Sequence, residues 1–341
     1  MTTRRVTPKA SFERINYILR PRKQIERKII MELLSGLESP LGLDLKSYQY
    51  VGLGAIHYYD FLLVNKYLNI TDMVSLDCRD CRHRFEFNIP FDFVTFENMS
   101  TSDYLQRPRC DKPRIIWFDY DSKFVKWSRR NGDYQFLPNE SVLDDIRALA
   151  RTARDGDVFV MTVDVEMPTS VFESPRAKKC FADEFDGYLS GQYTGRRRWT
   201  WENYPLFVQN IVMNAFRNAE SFQPVKFRKL FSFVYRDGAR MYTLGGVFMN
   251  RPFRQREASG GFFLKSRSKI HEIDVPVLTY REKARLDQHV EHLANNLDSM
   301  KNAPDPCGEV VKCLGFEMDV RELEHYVRYY RYYPQYYEGI V

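Results

Sequence analysis

Residues 48–60, Tyr48-Gln-Tyr-Val-Gly-Leu-Gly-Ala-Ile-His-Tyr-Tyr-Asp60, form the stretch that decides the fold. They predict a short apolar strand, a tight turn at Gly52 and Gly54, and a helix with apolar positions at Phe61, Leu62, Val64 and Leu68. Glycine lets the backbone turn sharply and lets a ligand approach without a side chain in the way. The free N–H groups at the start of the helix suit an anionic or strongly polar ligand. The stretch therefore predicts a ligand site on a strand–turn–helix unit.

Further strands follow this unit along the chain. Four strand-like runs lie at 71–77, 91–96, 114–118 and 157–163, and helical patterns alternate with them. This alternation predicts a parallel sheet with helices on both faces. Two apolar runs at 230–235 and 241–249 are then joined by Arg236-Asp-Gly-Ala-Arg240, a strong hairpin signal. The expected fold is α/β, with a mostly parallel seven-stranded sheet that ends in an antiparallel hairpin.

The chain divides into three predicted parts. Residues 1–44 form an N-terminal helical element, 45–250 the sheet domain, and 251–341 a C-terminal appendage with helices. Within the sheet domain, residues 166–201 are a long polar insertion that interrupts the alternation of strands and helices.

Five parallel strands followed by a hairpin resemble the class I S-adenosylmethionine-dependent methyltransferases, which have a Rossmann-like fold, over roughly residues 45–250. Val51-Gly-Leu-Gly54 resembles the family's glycine loop, which packs against the methionine part of the cofactor. Asp77 falls where the family keeps an acidic residue for the ribose hydroxyls, and Ser102-Asp103 resembles the position that contacts adenine. Asp119-Tyr120-Asp121 falls at the end of the fourth strand, over the reacting methyl group.

General chemistry supports the same set of residues. Ligands of open α/β sheets bind outside the carboxyl ends of the strands, where all of these residues lie. A carboxylate accepts both ribose hydroxyls in charge-assisted hydrogen bonds, and carboxylates near a sulfonium favour its positive charge. The predicted cofactor-binding residues are Gly52, Gly54, Asp77, Ser102, Asp103 and Asp119. The predicted catalytic residues are Asp119 or Asp121 as a base and Tyr120 as the group that orients the acceptor.

The glycine loop departs from the family pattern at three positions. Tyr50 occupies a position that is usually acidic, and Ile56 and His57 stand where a third glycine is common. We therefore expect weak cofactor binding rather than none. A dinucleotide-binding site is an alternative, because Gly52-x-Gly54 precedes Asp77 by about the right interval. That motif needs glycine at 57, however, and the terminal hairpin does not fit it.

Two functions from different classes compete. Residues 16–27, the glycine loop and Arg84-Phe-Glu-Phe-Asn88 resemble bacterial proteins classed as O-methyltransferases of unassigned substrate. The resemblance implies methyl transfer from S-adenosylmethionine to an oxygen or nitrogen of an unidentified acceptor. The alternative is a catalytically silent scaffold or binding subunit of a multi-protein complex, for example in antiviral defence.

Basic and aromatic segments predict a macromolecular partner. The formal net charge is +6, which weakly favours an anionic partner. Arg196, Arg197, Arg198 and Trp199 are candidates to grip phosphate or stack on a base, although a solvated loop is as good an explanation. The basic stretch 251–269 and the tyrosine-rich end are candidate surfaces for protein or nucleic acid.

Other classes of site and location are disfavoured. The spacing Cys78-x-x-Cys81-x-His83 is ligand-like, but no second pair follows at zinc-finger distance, so we predict no metal site. No apolar run approaches the roughly 18 residues that a membrane span needs. The N-terminus lacks a secretory pattern, so the expected location is the cytoplasm.

Overall fold

The structure is a computed structural model that describes residues 20–78, 82–108, 110–189, 199–221, 223–254 and 269–334. The chain folds into two compact units. The larger unit includes residues 31–234 and 238–271, and the smaller includes 235–237 and the chain from 272 onward. The domain boundaries drawn from the sequence at 44/45 and 250/251 stay a prediction.

Ten strands are present in the described ranges. They are β1 (Gln49–Leu53), β2 (Asp72–Leu76), β3 (Val94–Glu97), β4 (Arg114–Lys123), β5 (Val125–Arg130), β6 (Asp133–Pro138), β7 (Val158–Asp164), β8 (Lys226–Asp237), β9 (Ala239–Met249) and β10 (His271–Ile273).

The same ranges contain twelve α-helices. They are α1 (Pro21–Ser35), α2 (Glu38–Leu41), α3 (Tyr59–Leu68), α4 (Arg82–Phe87), α5 (Thr101–Gln106), α6 (Glu140–Thr152), α7 (Thr169–Glu173), α8 (Pro175–Leu189), α9 (Tyr204–Ala219), α10 (Tyr280–Lys301), α11 (Pro306–Leu314) and α12 (Val320–Tyr329). No helix among them is both long and apolar enough to cross a membrane.

The main sheet confirms the predicted fold class. Its strand order is β3-β2-β1-β4-β7-β9-β8-β10. The first five strands in this order, β3, β2, β1, β4 and β7, are parallel, and β9 pairs with β7 in the antiparallel sense. The interior strands are apolar almost throughout, as expected where helices cover both faces of a parallel sheet. The predicted hairpin is β8–β9, with Gly238 at φ 82° in its turn.

Three features of the fold were not predicted. The short edge strand β10 adds an eighth member to the sheet. Strands β5 and β6 form a separate antiparallel ribbon directly after β4. The segment 166–201, predicted to be a polar insertion, contains helices α7 and α8, whose Val171, Phe172, Ala177 and Phe181 enter the core.

The starts of helices α6 and α10 differ in their capping. Ser141 and Asp144 have the spacing of a capping box, but helix α6 begins at Glu140 after Asn139, which makes no side-chain cap. At the start of α10 a capping box is present, because the Thr279 side chain accepts from the Glu282 N–H and the Glu282 carboxylate accepts from the Thr279 N–H.

The smaller unit encloses three tyrosines of the aromatic C-terminal region. Tyr326, Tyr329 and Tyr333 are buried. Their hydroxyls donate to the Asp287 carboxylate and to the backbone carbonyls of Glu272 and Pro276. Tyrosine hydroxyls usually find a partner when the ring is buried. These three rings therefore stabilise the unit's own core and do not form an open surface.

A half-buried lysine gives a prediction about stability. The Lys229 ammonium donates to Gln209 Oε1 at 2.9 Å and Ser232 Oγ at 3.3 Å, and no described carboxylate pairs with it. Burial lowers the pKa of Lys229 to about 8. Below that pH the folded protein holds a poorly solvated charge, so Lys229→Met should stabilise it by about 1 kcal/mol at pH 7, allowing for partial exposure.

The pH dependence gives the sign of this effect. Between pH 8 and about 10.4 the unfolded chain binds more protons at this lysine than the folded chain, so wild-type stability rises with pH there. The advantage of the methionine variant, measured by denaturant unfolding, should shrink from pH 7 to pH 10. Exposed Lys66 is the control, and Lys66→Met should show no such trend. An advantage that is constant with pH would contradict the assignment.

Candidate active site

The glycine turn lies at the centre of the sheet. Gly52 in β1 lies beside Ser75 of β2 on one side and Trp117 of β4 on the other. The Gly54 N–H still donates to the Leu76 carbonyl at 2.9 Å, so the turn begins only after Gly54. Strand order reverses between β1 and β4, because the chain moves outward from β1 to β3 and then returns to β4. Such a switch point is where open α/β sheets bind ligands.

Both glycines are required by close neighbours. A Cβ on Gly54 would lie 2.5 Å from Ser75 Oγ and 3.3 Å from the Phe85 ring. A Cβ on Gly52 would lie 2.6 Å from the hydroxyl oxygen of Tyr50. Any side chain at either position would therefore collide with a neighbour inside the sheet layer.

Tyr50, the main departure from the family pattern, is a core residue. Its side chain is 1% exposed, and its ring meets Phe61 edge-on at a centroid distance of 5.0 Å. Tyr50 therefore joins β1 to helix α3 by aromatic packing, at a position where the family usually has an acidic residue.

The turn that leads into α3 is held by a second tyrosine. Tyr58 precedes the helix at φ 46°, an uncommon conformation for a residue other than glycine. Its hydroxyl donates to the Phe85 carbonyl at 3.2 Å, and burial raises the pKa of Tyr58 to about 12. The neutral hydroxyl thus anchors the turn between β1 and α3 to the Phe85 backbone. No side chain caps the N-terminus of α3.

Asp77 directly follows β2 at the same edge. Only 7% of the residue is exposed, and its N–H donates to the Glu97 carbonyl at 3.3 Å. That backbone bond extends the pairing with β3 one residue past the end of β2. The carboxylate is thereby held at the carboxyl end of β2, where the sequence predicts the ribose hydroxyls.

The short helix α5 holds the two residues predicted at the adenine. Ser100 caps α5, since its hydroxyl accepts from the Asp103 N–H at 3.1 Å and donates to the Asp103 carboxylate at 2.6 Å. Asp103 is exposed, and its carboxylate belongs to this cap. The Ser102 hydroxyl donates its proton to Asp145 Oδ1 at 2.7 Å, so towards a ligand this hydroxyl could only accept.

Asp145, on helix α6, was not predicted as a site residue. Besides Ser102, it accepts hydrogen bonds from the Thr101 hydroxyl at 2.5 Å and the Tyr120 hydroxyl at 2.8 Å. Burial raises the pKa of the Asp145 carboxyl above its ordinary value, against the opposing effect of the three hydrogen bonds. The sequence did contain a signal, because Asp145 lies on the otherwise apolar face of α6 that includes Val142 and Leu149.

The three predicted catalytic residues are in β4, which runs five residues further than predicted. Asp119 is half-buried beside Thr162 of β7, and Asp121 is exposed. The Tyr120 hydroxyl is engaged with Asp145, so it would have to leave that bond to orient an acceptor.

A second unpredicted carboxylate, Asp164, ends β7, the next strand. Its Oδ1 accepts from the Glu166 N–H at 2.6 Å. Burial raises the pKa of the Asp164 carboxyl, although the Glu166 hydrogen bond and the charge of Lys123 act in the other direction. Its position at the end of a parallel strand was a usable signal.

The cluster predicted at 196–199 is only partly described. Arg196, Arg197 and Arg198 lie outside the described residues. Trp199 is 7% exposed. Its ring stacks on Phe181 at a centroid distance of 4.3 Å and lies against Phe172 at a centroid distance of 4.6 Å. Because the ring is enclosed in the core, this placement argues against the predicted role of Trp199 in stacking on a base.

The family follows from the sequence as a whole. Residues 15–341 match the family model described as "Putative O-methyltransferase". The chain belongs to this family. With the strand order above, this makes it a class I methyltransferase that uses S-adenosylmethionine. No curated protein matches the chain.

Similarity to solved methyltransferase structures is distant. Trm1 from Pyrococcus horikoshii, solved with S-adenosyl-L-methionine, is 10% identical at a TM-score of 0.40, and the match covers 67% of this chain and 55% of Trm1. An O-methyltransferase family protein from Burkholderia thailandensis is also 10% identical, at a TM-score of 0.32, with coverage of 67% and 63%. At these values neither structure informs on the substrate of this methyltransferase.

The residues at the sheet edge of this methyltransferase fit S-adenosylmethionine. The two glycines keep the backbone at the switch point free of side chains. Asp77 presents a buried carboxylate at the end of β2, which suits the two ribose hydroxyls. Within the described ranges, no three His, Cys, Asp or Glu side chains are arranged to hold a metal ion.

Proposed function

We propose that this protein transfers a methyl group from S-adenosylmethionine to an oxygen atom of its acceptor. The observation that carries the proposal is the convergence of carboxylates on one edge of the sheet. Asp77 directly follows β2, Asp164 ends β7, Asp119 lies within β4 opposite Thr162 of β7, and Gly54 opens the turn after β1. Carboxylates on three strands of one sheet, beside the switch point, favour a polar ligand site over a purely structural surface.

Each carboxylate has a distinct proposed role. Bound S-adenosylmethionine supplies a methyl group on a positively charged sulfur. Asp77 accepts the ribose hydroxyls, and Asp119, on the strand that borders the switch point, lies nearest in the fold to the reacting groups. Transfer requires mainly alignment of the acceptor, plus a base if the acceptor must lose a proton.

Asp119 and Asp164 are the candidate bases, and Asp121 is the exposed third. Burial raises the pKa of Asp164, and a base is most effective when its pKa approaches the working pH. Asp119 is half-buried on the neighbouring strand. A deprotonated carboxylate at either position would take the proton of the acceptor hydroxyl as its oxygen attacks the methyl carbon.

Labelled methyl transfer tests this proposal. Tritiated S-adenosylmethionine is incubated with the protein and with small-molecule, nucleic-acid and protein fractions of a cell extract, and the product is located by mass spectrometry. Asp119→Asn should lower the transfer rate, measured at saturating cofactor, about a hundredfold, the usual minimum for loss of a general base. Asp133→Asn, at the exposed end of the β5–β6 ribbon, is the control and should behave as wild type.

The outcomes separate enzyme from scaffold. Label on oxygen supports the proposal, and label on nitrogen overturns its choice of acceptor atom. Binding of the cofactor without transfer to any fraction favours the silent scaffold. Neither the family match nor the fold adds support to a role in antiviral defence, which stays a prediction.

A partner remains part of the proposal. The basic stretch 251–269 is the candidate surface, with Arg251, Arg254 and Lys269 in its described part. The buried Tyr326, Tyr329 and Tyr333 do not contribute to it. The salt dependence of the binding affinity distinguishes the two kinds of partner, because nucleic-acid binding weakens strongly as salt rises.

A further inference from the structure

Asp145 is a buried carboxylate without a counter-cation. It is 0% exposed, and no residue in the described ranges forms an ion pair with it. A buried charge is costly unless hydrogen bonds replace its hydration. Three hydroxyls, from Thr101, Ser102 and Tyr120, supply those bonds at 2.5, 2.7 and 2.8 Å. A carboxylate that is satisfied entirely by hydroxyl groups holds those groups in one arrangement.

The three donors belong to two different parts of the site. Thr101 and Ser102 are the first two residues of α5, in the turn that follows β3. Tyr120 follows Asp119 in β4, at the switch point. Asp145 itself lies on α6, the helix after the β5–β6 ribbon. A single side chain therefore joins the turn predicted at the adenine to the strand end predicted at the methyl group.

Helix α5 depends on the hydrogen bonds to Asp145 for its position. The helix has six residues, and the Ser100 cap lies entirely within its own turn. Too short to be stable by itself, α5 depends on tertiary contacts for its place. Leu105 is buried and the Tyr104 hydroxyl donates to Gln49 Oε1 at 3.1 Å, while the hydrogen bonds of Thr101 and Ser102 to Asp145 hold the first turn.

We propose that Asp145 is a positioning residue that fixes the α5 turn against the end of β4 and so sets affinity for the adenosine part of the methyl donor. The inference rests on the proposed function. An α5 turn released from Asp145 would have to be ordered when the donor binds, and that ordering lowers affinity. The effect should concern the adenosine part, because the glycine loop at β1 has no contact with Asp145 among the hydrogen bonds described.

The test measures binding, so it needs no acceptor. Isothermal calorimetry gives the Kd of S-adenosylmethionine and of 5′-methylthioadenosine, which keeps adenine and ribose but lacks the amino-acid part. Asp145→Asn should raise both Kd values about tenfold and by the same factor. Asp144→Asn is the matched control. This neighbour is exposed and pairs with Arg147 at 2.7 Å, and its change should leave both values within twofold.

Milder variants guard against loss of folding. Tyr120→Phe and Ser102→Ala each remove one hydroxyl and leave the carboxylate two donors, so each should raise both Kd values by about threefold. Thr101→Ser keeps its hydroxyl and should bind as wild type, whereas Thr101→Val should resemble Ser102→Ala. A merely structural role would lower the melting temperature of these variants without this pattern in the two ligands.

The outcomes separate this inference from the proposed function. If the wild type binds neither ligand, both are overturned. If the wild type binds both and Asp145→Asn binds them equally well, only the positioning role is overturned. A rise in Kd for S-adenosylmethionine without one for 5′-methylthioadenosine also overturns it, because the effect would then concern the amino-acid part.

Discussion

Replacing Asp77 with alanine should raise the Kd for S-adenosylmethionine at least a hundredfold. The carboxylate lies at the end of β2 with 7% exposure, and it is proposed to accept two ribose hydroxyls. A hydrogen bond to a charged group contributes about 1.5–3 kcal/mol, so the loss of two corresponds to about 3–6 kcal/mol. Calorimetry on the purified protein measures the change, and no acceptor is needed.

Asp72 provides the control from the same strand. It lies at the opposite end of β2 and pairs with Lys112 at 2.6 Å on the surface. Surface pairs contribute little to stability, so Asp72→Ala should bind the cofactor within twofold of wild type. If Asp77→Ala changed the Kd by less than threefold, the ribose would be bound elsewhere.

Replacing Gly54 with valine should abolish measurable cofactor binding and destabilise the fold. Even the first added carbon would lie 2.5 Å from Ser75 Oγ. Ser75 is fully buried in the neighbouring strand β2. Overpacking of this kind costs about 1–3 kcal/mol. The remaining valine methyl groups would also occupy the opening at the switch point. Denaturant unfolding measures the first effect and calorimetry the second.

A double substitution identifies the clash itself. Gly54→Ala should be destabilised by the contact with Ser75, and adding Ser75→Ala removes the Oγ atom that it meets. The pair should therefore recover part of the lost stability, with a coupling of about 0.5–3 kcal/mol. Gly187→Ala is the control, since nothing lies within 4 Å of its added carbon on α8, and it should be neutral or stabilising by up to about 1 kcal/mol. Additive effects of Gly54→Ala and Ser75→Ala would show that the serine is not the obstacle.

Much of the fold followed from local patterns in the sequence. The glycine turn, the Asp-Gly hairpin and the capping box of Thr279 and Glu282 each depend on residues within a few positions of one another. Apolar runs fixed which segments became interior strands, since parallel strands are buried on both faces. The ends of those strands in turn placed Asp77 and Asp119 at the site edge.

Other local patterns misled because tertiary packing overrode them. Trp199 follows three arginines, a pattern typical of an exposed binding loop, yet its ring is enclosed by Phe172 and Phe181. In the tyrosine-rich end, Tyr326 and Tyr329 donate hydrogen bonds within their own unit. Tyr336 and Tyr337 lie outside the described residues, and the docking surface stays a prediction. Aromatic rings bury large areas, and neighbours distant in the sequence decide which rings are buried.

The sequence by itself determined the class of fold and the family, and it predicted the sheet edge proposed to bind the ligand. Only the tertiary structure decided which side chains at that edge are already engaged with one another. Asp145 meets Thr101 across 44 positions and Tyr120 across 25, and the glycine at 54 is required by Ser75 on another strand. Periodicity depends on neighbours along the chain, whereas these contacts depend on which strands and helices become neighbours in space. For that reason the sequence did not reveal that the hydroxyls of Ser102 and Tyr120 both donate to a distant buried carboxylate.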